Sequence, residues 1–318
     1  MIVTLTANPS LDRTVTLDGP LERGRVQRAV ATTSVPAGKG VNVARVVLSA
    51  GRSAVAVLPG EHDDPLVIGL RDLGIPHRAV EVTGRLRVNL TIAEPDGTTT
   101  KVNEPGLPLS AEQLAALSAT LEREAAGARW VVLSGSLPPG VPDGWYGELV
   151  GRLRASGAAV AVDTSGPPLL ATLADGVARL PQLVKPNGEE LAELAGVVGA
   201  DLEDDVDAAA AAAAGLVDRG VEAVLATLGA AGAVLATRGG VWVARPPAIR
   251  RLSTVGAGDS ALAGYLLADL AGADPADRLR SAVAHGAAAA GLPGSTLPTP
   301  ADLRAGDVQV HALTTHRS

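Results

Sequence analysis

Short apolar runs alternate with helical segments along most of this chain, and few folds accommodate that order. Six runs are typical of buried strands, at residues 2–6, 53–58, 130–134, 158–163, 183–185 and 223–227. Apolar residues three and four apart predict helices at about residues 41–50, 110–125, 142–155, 188–196, 207–219, 258–271 and 275–291. Strands that alternate with helices form a mostly parallel sheet with helices on both faces, which binds ligands at the carboxyl ends of its strands. We therefore predict a three-layer α/β/α fold.

Two segments, at residues 14–18 and 87–92, instead alternate strictly between polar and apolar residues. A period of two places Arg87, Asn89 and Thr91 on one face of a strand and three apolar residues on the other. We expect exposed antiparallel strands of a small second sheet, whose apolar outer face must be covered; this predicts a lid that pairs with a second copy of the chain. The predicted boundaries are residues 1–11, 34–84 and 103–318 for the α/β domain, and 12–33 and 85–102 for the lid.

Composition excludes several classes of protein. The chain has 318 residues and a formal net charge of −7, which argues against a general binder of nucleic acid or of anionic membranes. It contains no cysteine, which rules out disulfides, thiolate metal sites and cysteine nucleophiles. The first residues are typical of a strand and not of a signal peptide, and no apolar run is long enough to span a bilayer. We expect a cytoplasmic protein.

The motif TVGAGDS at residues 254–260 stands immediately before an apolar helix and is the strongest indication of a site. Its glycines let backbone N–H groups converge at a helix N-terminus, where the dipole favours an anion. An aspartate there is explained if Asp259 takes a proton from an attacking hydroxyl while the N–H groups hold a transferring phosphoryl group. The alternative is that Asp259 only caps the helix. The motif lies too late in the chain for a dinucleotide-binding fingerprint, and no Gly-Lys-Ser/Thr follows to make a Walker A loop.

Two further motifs open predicted helices. In the first, GKGVN, small residues allow close approach of a ligand, Lys39 adds positive charge and Asn42 can hydrogen-bond sugar hydroxyls. In the second, KPNGEE, Asn187 and Glu190 are three residues apart and share a face of the first helical turn, which suits Mg²⁺ held through water. Each motif has a purely structural alternative, namely a turn with a helix cap.

Loops after two other predicted strands supply hydroxyl groups and glycines at the expected cleft. They are SGSLPPG at residues 134–140 and TLGAAG at residues 227–232, and each is also consistent with an ordinary turn. His285 lies in an alanine-rich helix, where packing explains it better than catalysis. The five histidines show no metal-ligand spacing and the chain has no Gly-x-Ser-x-Gly, so a metallohydrolase and a serine hydrolase are disfavoured.

Taken in order, these motifs resemble those of the ribokinase-like, PfkB-type carbohydrate kinases over almost the whole chain. The matching segments are NPSLD at 8–12, GKG at 38–40, RVN at 87–89, NEPG at 103–106, SGSLPPG at 134–140, KPN at 185–187 and TVGAGD at 254–259. The chain is most similar to the bacterial branch that phosphorylates fructose 1-phosphate or tagatose 6-phosphate. One departure is Ala37, which stands where that branch usually has glycine; alanine disfavours a positive φ.

The resemblance implies a ribokinase-like fold with a small β lid, and it assigns roles to individual positions. Contacts to the acceptor sugar or its phosphate fall to Asp12, Gly38, Lys39, Asn42, Arg87, Asn89, Lys101 and Ser136. Contacts to the nucleotide fall to Lys185, Asn187, Thr227, Gly229, Gly232 and His285, with Asn187 and Glu190 organising Mg²⁺ through water. Gly256, Ala257 and Gly258 would form the anion hole, and Asp259 would be the general base.

The implied activity is ATP-dependent phosphorylation of a ketohexose phosphate, with fructose 1-phosphate favoured and tagatose 6-phosphate or fructose 6-phosphate as alternatives. A nucleoside or ribose kinase is less consistent with Lys39 and Arg87, because a neutral sugar needs no such charge. From other classes, a non-catalytic sugar-phosphate sensor and an NAD-dependent oxidoreductase remain open. The expected cofactors are ATP and Mg²⁺, with a monovalent cation undecided, and the expected assembly is a homodimer through the lid strands.

Overall fold

The computed structural model describes residues 1–174, 180–197 and 202–313. Its strands are β1 (Ile2–Thr6), β2 (Ser10–Thr16), β3 (Ala31–Ala37), β4 (Ala54–Pro59), β5 (His77–Val80), β6 (Arg87–Ala93), β7 (Thr99–Asn103), β8 (Trp130–Ser134), β9 (Ala159–Asp163), β10 (Leu183–Val184), β11 (Ala223–Thr227), β12 (Ala233–Thr237), β13 (Gly240–Arg245) and β14 (Gln309–Leu313). Its helices are α1 (Lys39–Ser49), α2 (Pro65–Asp72), α3 (Ala111–Ala125), α4 (Trp145–Arg154), α5 (Gly166–Ala174), α6 (Gly188–Ala195), α7 (Val206–Asp218), α8 (Ala257–Leu270) and α9 (Pro275–Ala290).

The larger sheet has the strand order β14-β13-β12-β11-β10-β9-β8-β1-β4-β5. Neighbours from β11 to β5 are parallel, and β12, β13 and β14 add an antiparallel edge. The mostly parallel sheet predicted from the sequence is therefore confirmed, and all six predicted strands lie in it. The antiparallel edge was not predicted, because β12 and β13 follow β11 through short connections without an intervening α-helix.

Helices cover both faces of this sheet because its strands are apolar on both sides. Ile2 faces one layer, where it belongs to the same buried cluster as residues of α1, α8 and α9. Val3, the next residue along β1, faces the opposite layer with residues of α3 and α4. Buried residues of α6 and α7 form a third cluster, packed against β10 to β13. The core thus leaves only the strand ends open to a ligand.

The smaller sheet, called the lid sheet below, has the order β3-β2-β6-β7. Its strands come from residues 10–37 and 87–103, compared with the predicted lid segments 12–33 and 85–102. The expectation that its two alternating strands are antiparallel is wrong, because β2 and β6 are parallel neighbours. Each of them follows a parallel strand of the larger sheet and leaves from the same edge. The antiparallel pairs are β2 with β3 and β6 with β7.

The register of the lid sheet separates a polar face from a mainly apolar one, on which the exposed Arg13 lies opposite Leu90. Asp12 lies opposite Asn89, which lies opposite Asn103, so these three side chains share a face. Leu90 and Val102 are opposite each other on the other face, where Val102 is 55% exposed. The entry to β6 is fixed by Asp64, whose carboxylate accepts hydrogen bonds from the amides of Leu66 and Leu86. Within the described chain, no helix has the length and apolar character needed to span a bilayer.

Candidate active site

Polar side chains gather where parallel strands of the larger sheet end. β8 and β9 end at Ser134 and Asp163, β11 ends at Thr227, and Lys185 directly follows β10. All of these strands run in the same direction, so their carboxyl ends meet at one edge. The lid sheet is connected to the larger sheet at this edge, because β2 follows β1 after three residues. The cleft therefore lies between the strand ends and the polar face of the lid sheet.

Asp259 lies in the first turn of α8, at the bottom of this cleft. The helix begins after Gly256, whose φ of 73° lies in the left-handed region that glycine adopts readily. No side chain caps this end of α8, and Asp259 is already inside the helix, so the alternative that it is an N-cap is not observed. Its carboxylate instead accepts a hydrogen bond of 2.8 Å from the Asn42 side-chain amide of α1. The carboxylate and the anion hole of residues 256–258 thus lie at one helix end.

The surroundings of Asp259 set its proton affinity. The residue is buried, and burial, reinforced by the Asp163 carboxylate, raises the pKa of Asp259 to about 6. The positive charge of Lys39 and the hydrogen bond from Asn42 oppose this rise. At pH 7 the group is mostly ionised, yet its proton affinity is far above that of an exposed aspartate. A pKa near the working pH suits a general base.

Asp163 is the main residue of the cleft that sequence reasoning missed. Its Oδ1 accepts a hydrogen bond of 2.7 Å from Lys39 Nζ and lies 3.4 Å from Lys185 Nζ. Burial raises the pKa of Asp163, but Lys185 and Lys39 together outweigh it and lower the pKa below its ordinary value. Its Oδ2 is buried and has no hydrogen-bond partner in the described chain. The only sequence signal was a predicted strand that ends on an acidic residue.

Lys39 is held at the centre of the cleft by the start of α1. Gly38 precedes the helix with a φ of 121°, and a Cβ there would lie 2.6 Å from Thr6 Cγ2. Thr6, the last residue of β1, accepts a hydrogen bond from the Val41 amide in the first turn of α1. Burial lowers the pKa of Lys39, but the carboxylates of Asp163 and Asp259 outweigh this and raise it above the usual value. Lys39 therefore stays charged.

The alanine that departs from the family motif causes no backbone strain. Ala37 is the last residue of β3 and is buried, and no residue other than glycine has a positive φ in the described chain. The left-handed position of the loop falls on Gly38 instead. The methyl group of Ala37 therefore imposes no backbone strain on the loop.

Lys185 and the KPN motif form the opposite wall. Lys185 is 4% exposed, and a Cβ on Gly258 would lie 3.2 Å from its Nζ, so this ammonium adjoins the predicted anion hole. Asn187 and Glu190 form a capping box at the start of α6: each side chain accepts a hydrogen bond from the other's backbone amide. Burial raises the pKa of Glu190 despite that hydrogen bond and the nearby lysines. The structural and functional interpretations of this motif are therefore compatible.

The described residues contain no cluster of three or more His, Asp or Glu side chains able to hold a metal ion by themselves. Glu190 uses one oxygen in the capping box, which leaves the other for a water-mediated contact. The unpartnered Oδ2 of Asp163 supplies a second acidic oxygen in the cleft. This sparse oxygen set fits Mg²⁺, which keeps most of its waters and binds mainly to nucleotide phosphates.

The polar face of the lid sheet carries the predicted sugar-binding residues. Asp12 Oδ1 accepts hydrogen bonds from Ser10 Oγ at 2.8 Å and from Asn89 Nδ2 at 3.1 Å. Burial raises the pKa of Asp12 although these hydrogen bonds oppose it. Arg87 donates to the Glu104 carbonyl, while its Nε and the Asn89 Oδ1 are buried without a partner in the described chain. Unpaired polar atoms buried on one face indicate a polar ligand.

Ser136 lies on the opposite side of the cleft, in the loop after β8. The loop is fixed from below, because Tyr146 and Thr164 both donate hydrogen bonds to the Gly135 carbonyl. Ser136 is exposed and accepts a hydrogen bond from Asn8 Nδ2. Asn8 belongs to the NPSLD motif, but no role in the site was predicted for it from the sequence. Lys101, on β7, is exposed and shares the Asp12 face of the lid sheet. The structure does not bring Lys101 into contact with the buried cluster around Asp163.

The residues assigned to the nucleotide are less closely grouped. Thr227, the last residue of β11, forms an isolated parallel β-bridge with Asn187. Gly229 begins the turn that follows β11. Gly232 has a packing requirement of its own, because a Cβ there would lie 2.0 Å from the Ala244 carbonyl oxygen. His285 is buried against α8, and its Nδ1 donates to the Ser281 carbonyl at 2.8 Å. Burial lowers the pKa of His285, so it packs as a neutral side chain.

The fold and this cleft define a class of proteins: α/β/α kinases in which a lid sheet closes over an aspartate at a helix N-terminus. The pfkB family carbohydrate kinase model matches residues 5–302, and the chain belongs to that family. The resemblance inferred from the motifs is thus confirmed, and so is the ribokinase-like fold. A ribokinase from Thermotoga maritima, 17% identical, has the same fold with a TM-score of 0.72 over 95% of this chain and 97% of its own.

Relatives with higher identity cover nearly the whole chain. A 1-phosphofructokinase from Rhodobacter capsulatus is 39% identical over 308 residues, which is 96% of this chain and 95% of the relative. A solved structure of phosphofructokinase-2 from Escherichia coli in complex with substrates and products is 33% identical. It has a TM-score of 0.85 and covers 95% of this chain and 96% of its own. Another structure of that enzyme, in complex with potassium, has 32% identity and a TM-score of 0.86 over the same shares.

Proposed function

We propose that the protein transfers the γ-phosphoryl group of ATP to the free primary hydroxyl of a ketohexose phosphate. The observation that carries this proposal is the placement of Asp259. It is a buried carboxylate with raised pKa, in the first turn of α8 beside the anion hole, with two lysine ammonium groups close by. This arrangement can remove a proton and hold a phosphoryl group at the same place. No other described part of the cleft combines these two capacities.

In the proposed step the acceptor hydroxyl oxygen attacks the γ-phosphorus of ATP in line. The new O–P bond forms as the bond to the bridging oxygen breaks, and ADP leaves with that electron pair. The hydroxyl proton passes to Asp259, which Asn42 orients through its amide. The amides of residues 256–258 receive the charge that spreads over the phosphoryl oxygens. Lys39 and Lys185 add positive charge on the same side.

Asp163 and Glu190 are the residues proposed to hold Mg²⁺ with the nucleotide, Glu190 through water and beside Asn187. When bound, the ion neutralises phosphate charge and orients the β- and γ-phosphates. Asp163 has a second task, since it keeps both lysines paired and oriented before any nucleotide arrives. Thr227 and Gly229 are proposed to contact the nucleotide beyond α6. The roles of Gly232 and His285 toward it remain predictions, and the structure supplies packing reasons for both.

The favoured acceptor is fructose 1-phosphate, which would give fructose 1,6-bisphosphate. Support comes from the Rhodobacter capsulatus relative, a 1-phosphofructokinase. Further support comes from the lid sheet, where Arg87 Nε and Asn89 Oδ1 are buried without a hydrogen-bond partner in the described chain and could bind a polar ligand. Asp12 and Asn89 would hold hydroxyl groups, and Arg87, Ser136 and Lys101 would hold the existing phosphate with Gly38 at the loop. Lys39 was predicted to bind that phosphate, but its contact with Asp163 favours a place nearer the transferring group.

Tagatose 6-phosphate and fructose 6-phosphate remain the alternative acceptors, since the Escherichia coli neighbour is a phosphofructokinase-2. The test is an assay of ADP release with fructose 1-phosphate, fructose 6-phosphate, tagatose 6-phosphate and ribose. We expect kcat/KM to be highest for fructose 1-phosphate and negligible for ribose. Binding of a sugar phosphate without ADP release would contradict the kinase proposal and favour a sensor. Repeating the assay in potassium and in sodium buffers decides whether a monovalent cation contributes.

The same proposal places the protein in the cytoplasm, where ATP and sugar phosphates are present. It also includes a homodimer formed through the apolar face of the lid sheet. The support for the dimer is the exposure of Val102 on that face, opposite Leu90, together with the need to cover an apolar patch.

A further inference from the structure

An open groove of about 860 Å³ lies at the amino edge of the larger sheet. It is lined by the first residues of parallel strands, among them Trp130 of β8, Ala159 of β9 and Ala223 of β11. The catalytic cleft is at the opposite, carboxyl ends of the same strands, and a five-residue strand spans roughly 15 Å. The groove is therefore separated from the cleft by the full height of the sheet.

The groove is charged, and its positive groups outnumber its negative ones. Four arginines line it, and the acidic residues in its lining are Asp269 and Glu222; the arginines are Arg129, Arg154, Arg238 and Arg278. The chain as a whole has a net charge of −7, so this local excess runs against the average of the molecule. Guanidinium groups collected in a concave surface attract and focus anions.

The two acids do not satisfy the four arginines. Asp269 is buried, and its carboxylate accepts hydrogen bonds from Trp130 Nε1 at 2.8 Å and from Arg129 at 3.3 Å. It also forms an ion pair with Arg278 at 3.0 Å. One carboxylate is thus shared by three donors. It positions the two guanidinium groups without neutralising both, and each guanidinium has five N–H donors.

The other two arginines complete the excess. Arg154 donates to the Leu180 carbonyl at 2.7 Å and lies 3.6 Å from Glu222. Arg238 is exposed at the turn after β12 and makes no hydrogen bond or ion pair within the described chain. An arginine without a partner, beside two that share one acid, leaves donors available to a ligand with several acceptor oxygens.

We propose that this groove is a second ligand site, which binds a small phosphorylated molecule carrying at least two negative charges. Its volume falls in the range of small-molecule pockets. Guanidinium groups recognise phosphate oxygens through paired N–H donors, and several of them fixed in one groove favour a ligand with two phosphate groups over a single anion. Sugar bisphosphates and nucleoside diphosphates share this chemistry.

The test uses inorganic pyrophosphate as the probe, titrated calorimetrically into the full chain in magnesium-free buffer of low ionic strength. The wild type should bind two equivalents, one in the catalytic cleft and one in the groove. Arg238→Glu should weaken one of the two sites at least about tenfold, because it removes a charge-assisted contact and adds a repulsive charge. The matched control is Arg52→Ala, an exposed arginine that does not line the groove and should leave both sites unchanged.

Arg238 lies outside the proposed catalytic machinery, so kcat and KM of Arg238→Glu without probe should equal those of the wild type. Pyrophosphate binding that is the same in Arg238→Glu as in the wild type, at every site, would overturn the proposal; a single wild-type site that Arg238→Glu weakens is the groove and would instead count against binding in the cleft. A fall in kcat of tenfold would contradict the separation of groove from cleft. Because Arg238 has no partner to lose, misfolding is not expected, and Arg129→Ala provides an independent second variant.

The two ligand sources are distinguished in a Lys39→Ala background, which should weaken phosphate binding in the cleft because it removes one of the two lysine charges there. ADP and fructose 1,6-bisphosphate are titrated separately, with and without Arg238→Glu. The compound whose binding falls with Arg238→Glu is the class that the groove takes. If neither compound depends on Arg238, a phosphorylated metabolite is the wrong ligand.

Discussion

At the scale of single residues, Asp259 shows how function and burial oppose each other. Its carboxylate is buried beside a second acid, so its charged form is disfavoured, and the pKa rises to about 6. We expect Asp259→Asn to lower kcat by about 10²–10⁴-fold, because the general base is lost. ATP affinity should change little, since Asn keeps the size of the side chain. Unchanged turnover, measured by ADP release, would exclude Asp259 as the base.

The same pKa predicts a pH profile for the wild type. As the proposed general base, Asp259 must be ionised to accept the proton, so we expect kcat/KM to rise with pH and level off above an apparent pKa near 6. The profile is measured at saturating ATP across pH 5 to 8.5. A flat profile through this range would show that the proton goes elsewhere.

The raised pKa also predicts a cost in stability with a definite sign. In the unfolded state Asp259 loses its proton near the ordinary aspartate pKa of 3.8, whereas in the folded state its pKa is about 6. Stability therefore falls as pH rises between these values, by up to ~3 kcal/mol. Asp259→Asn, neutral at every pH, should raise Tm by a few degrees at pH 8, by about half as much at pH 5 and hardly at all near pH 3. The exposed Asp143→Asn should show no such difference.

Asp163 and Lys185 should be coupled. Asp163→Asn leaves the nearly buried Lys185 without its counter-charge, and breaking a buried pair costs about 3–5 kcal/mol. Adding Lys185→Met removes the unpaired charge and should restore part of that loss. Thermal unfolding of the two single variants and the double variant measures the coupling. Additive effects would mean that the two side chains do not interact. The surface pair of Arg78 and Glu124 serves as control, where Glu124→Gln should change stability by less than about 1 kcal/mol.

At the scale of elements, strand β6 of the lid sheet carries Arg87 and Asn89, two of the residues proposed to bind the sugar phosphate. Arg87→Ala should raise KM for the sugar phosphate at least about tenfold, because the charged contact proposed between Arg87 and the existing phosphate would be lost. KM for ATP should stay unchanged, since Arg87 is on the lid. Arg85→Ala is the matched control, two residues earlier and paired only with Asp63 at the surface. Equal effects of the two variants on KM would remove Arg87 from the sugar site.

Local pattern predicted some elements well and others poorly, for physical reasons. β1, β8 and β9 were visible because a strand buried on both faces is a continuous apolar run. β12 has the same sequence as β11, AVLAT, yet it was missed because the chain returns to the sheet through a short connection without an α-helix. The parallel pairing of β2 and β6 depends on where two distant segments leave the larger sheet. No local window contains that information.

The site divides along the same line. The helix start after Gly256, with Asp259 in its first turn, was predictable because a glycine-rich helix start restricts the backbone within a few residues. Asp163 was not, because its meaning depends on Lys39, which is 124 positions away in the chain. Asn42 was predicted as a sugar ligand, and only the packing of α1 against α8 shows that its amide reaches Asp259. Contacts of this kind are tertiary, and a single sequence does not display them.

At the scale of the whole molecule, the lid sheet has one face over the cleft and another that is mainly apolar, apart from the exposed Arg13 beside Leu90. Leu90 and Val102 lie opposite each other on this outer face, and Val102 is largely exposed. Two such faces placed together would remove the patch from water in both copies, with each buried methylene contributing about 0.8 kcal/mol. A twofold arrangement also lets the same surface serve both subunits. We therefore expect the wild type to sediment as a dimer at micromolar concentration.

Leu90→Asp should convert that dimer to monomer, because the carboxylate would be desolvated at the centre of the proposed interface. The control is Leu73→Asp, an exposed leucine after α2 and outside the lid sheet, which should leave the dimer intact. Sedimentation equilibrium of the three proteins over a tenfold range of concentration gives the association constants. A wild type that is monomeric throughout, or a Leu90→Asp variant as dimeric as the wild type, would show that this face is not the interface. In that case the apolar face must be covered within one chain when the lid closes.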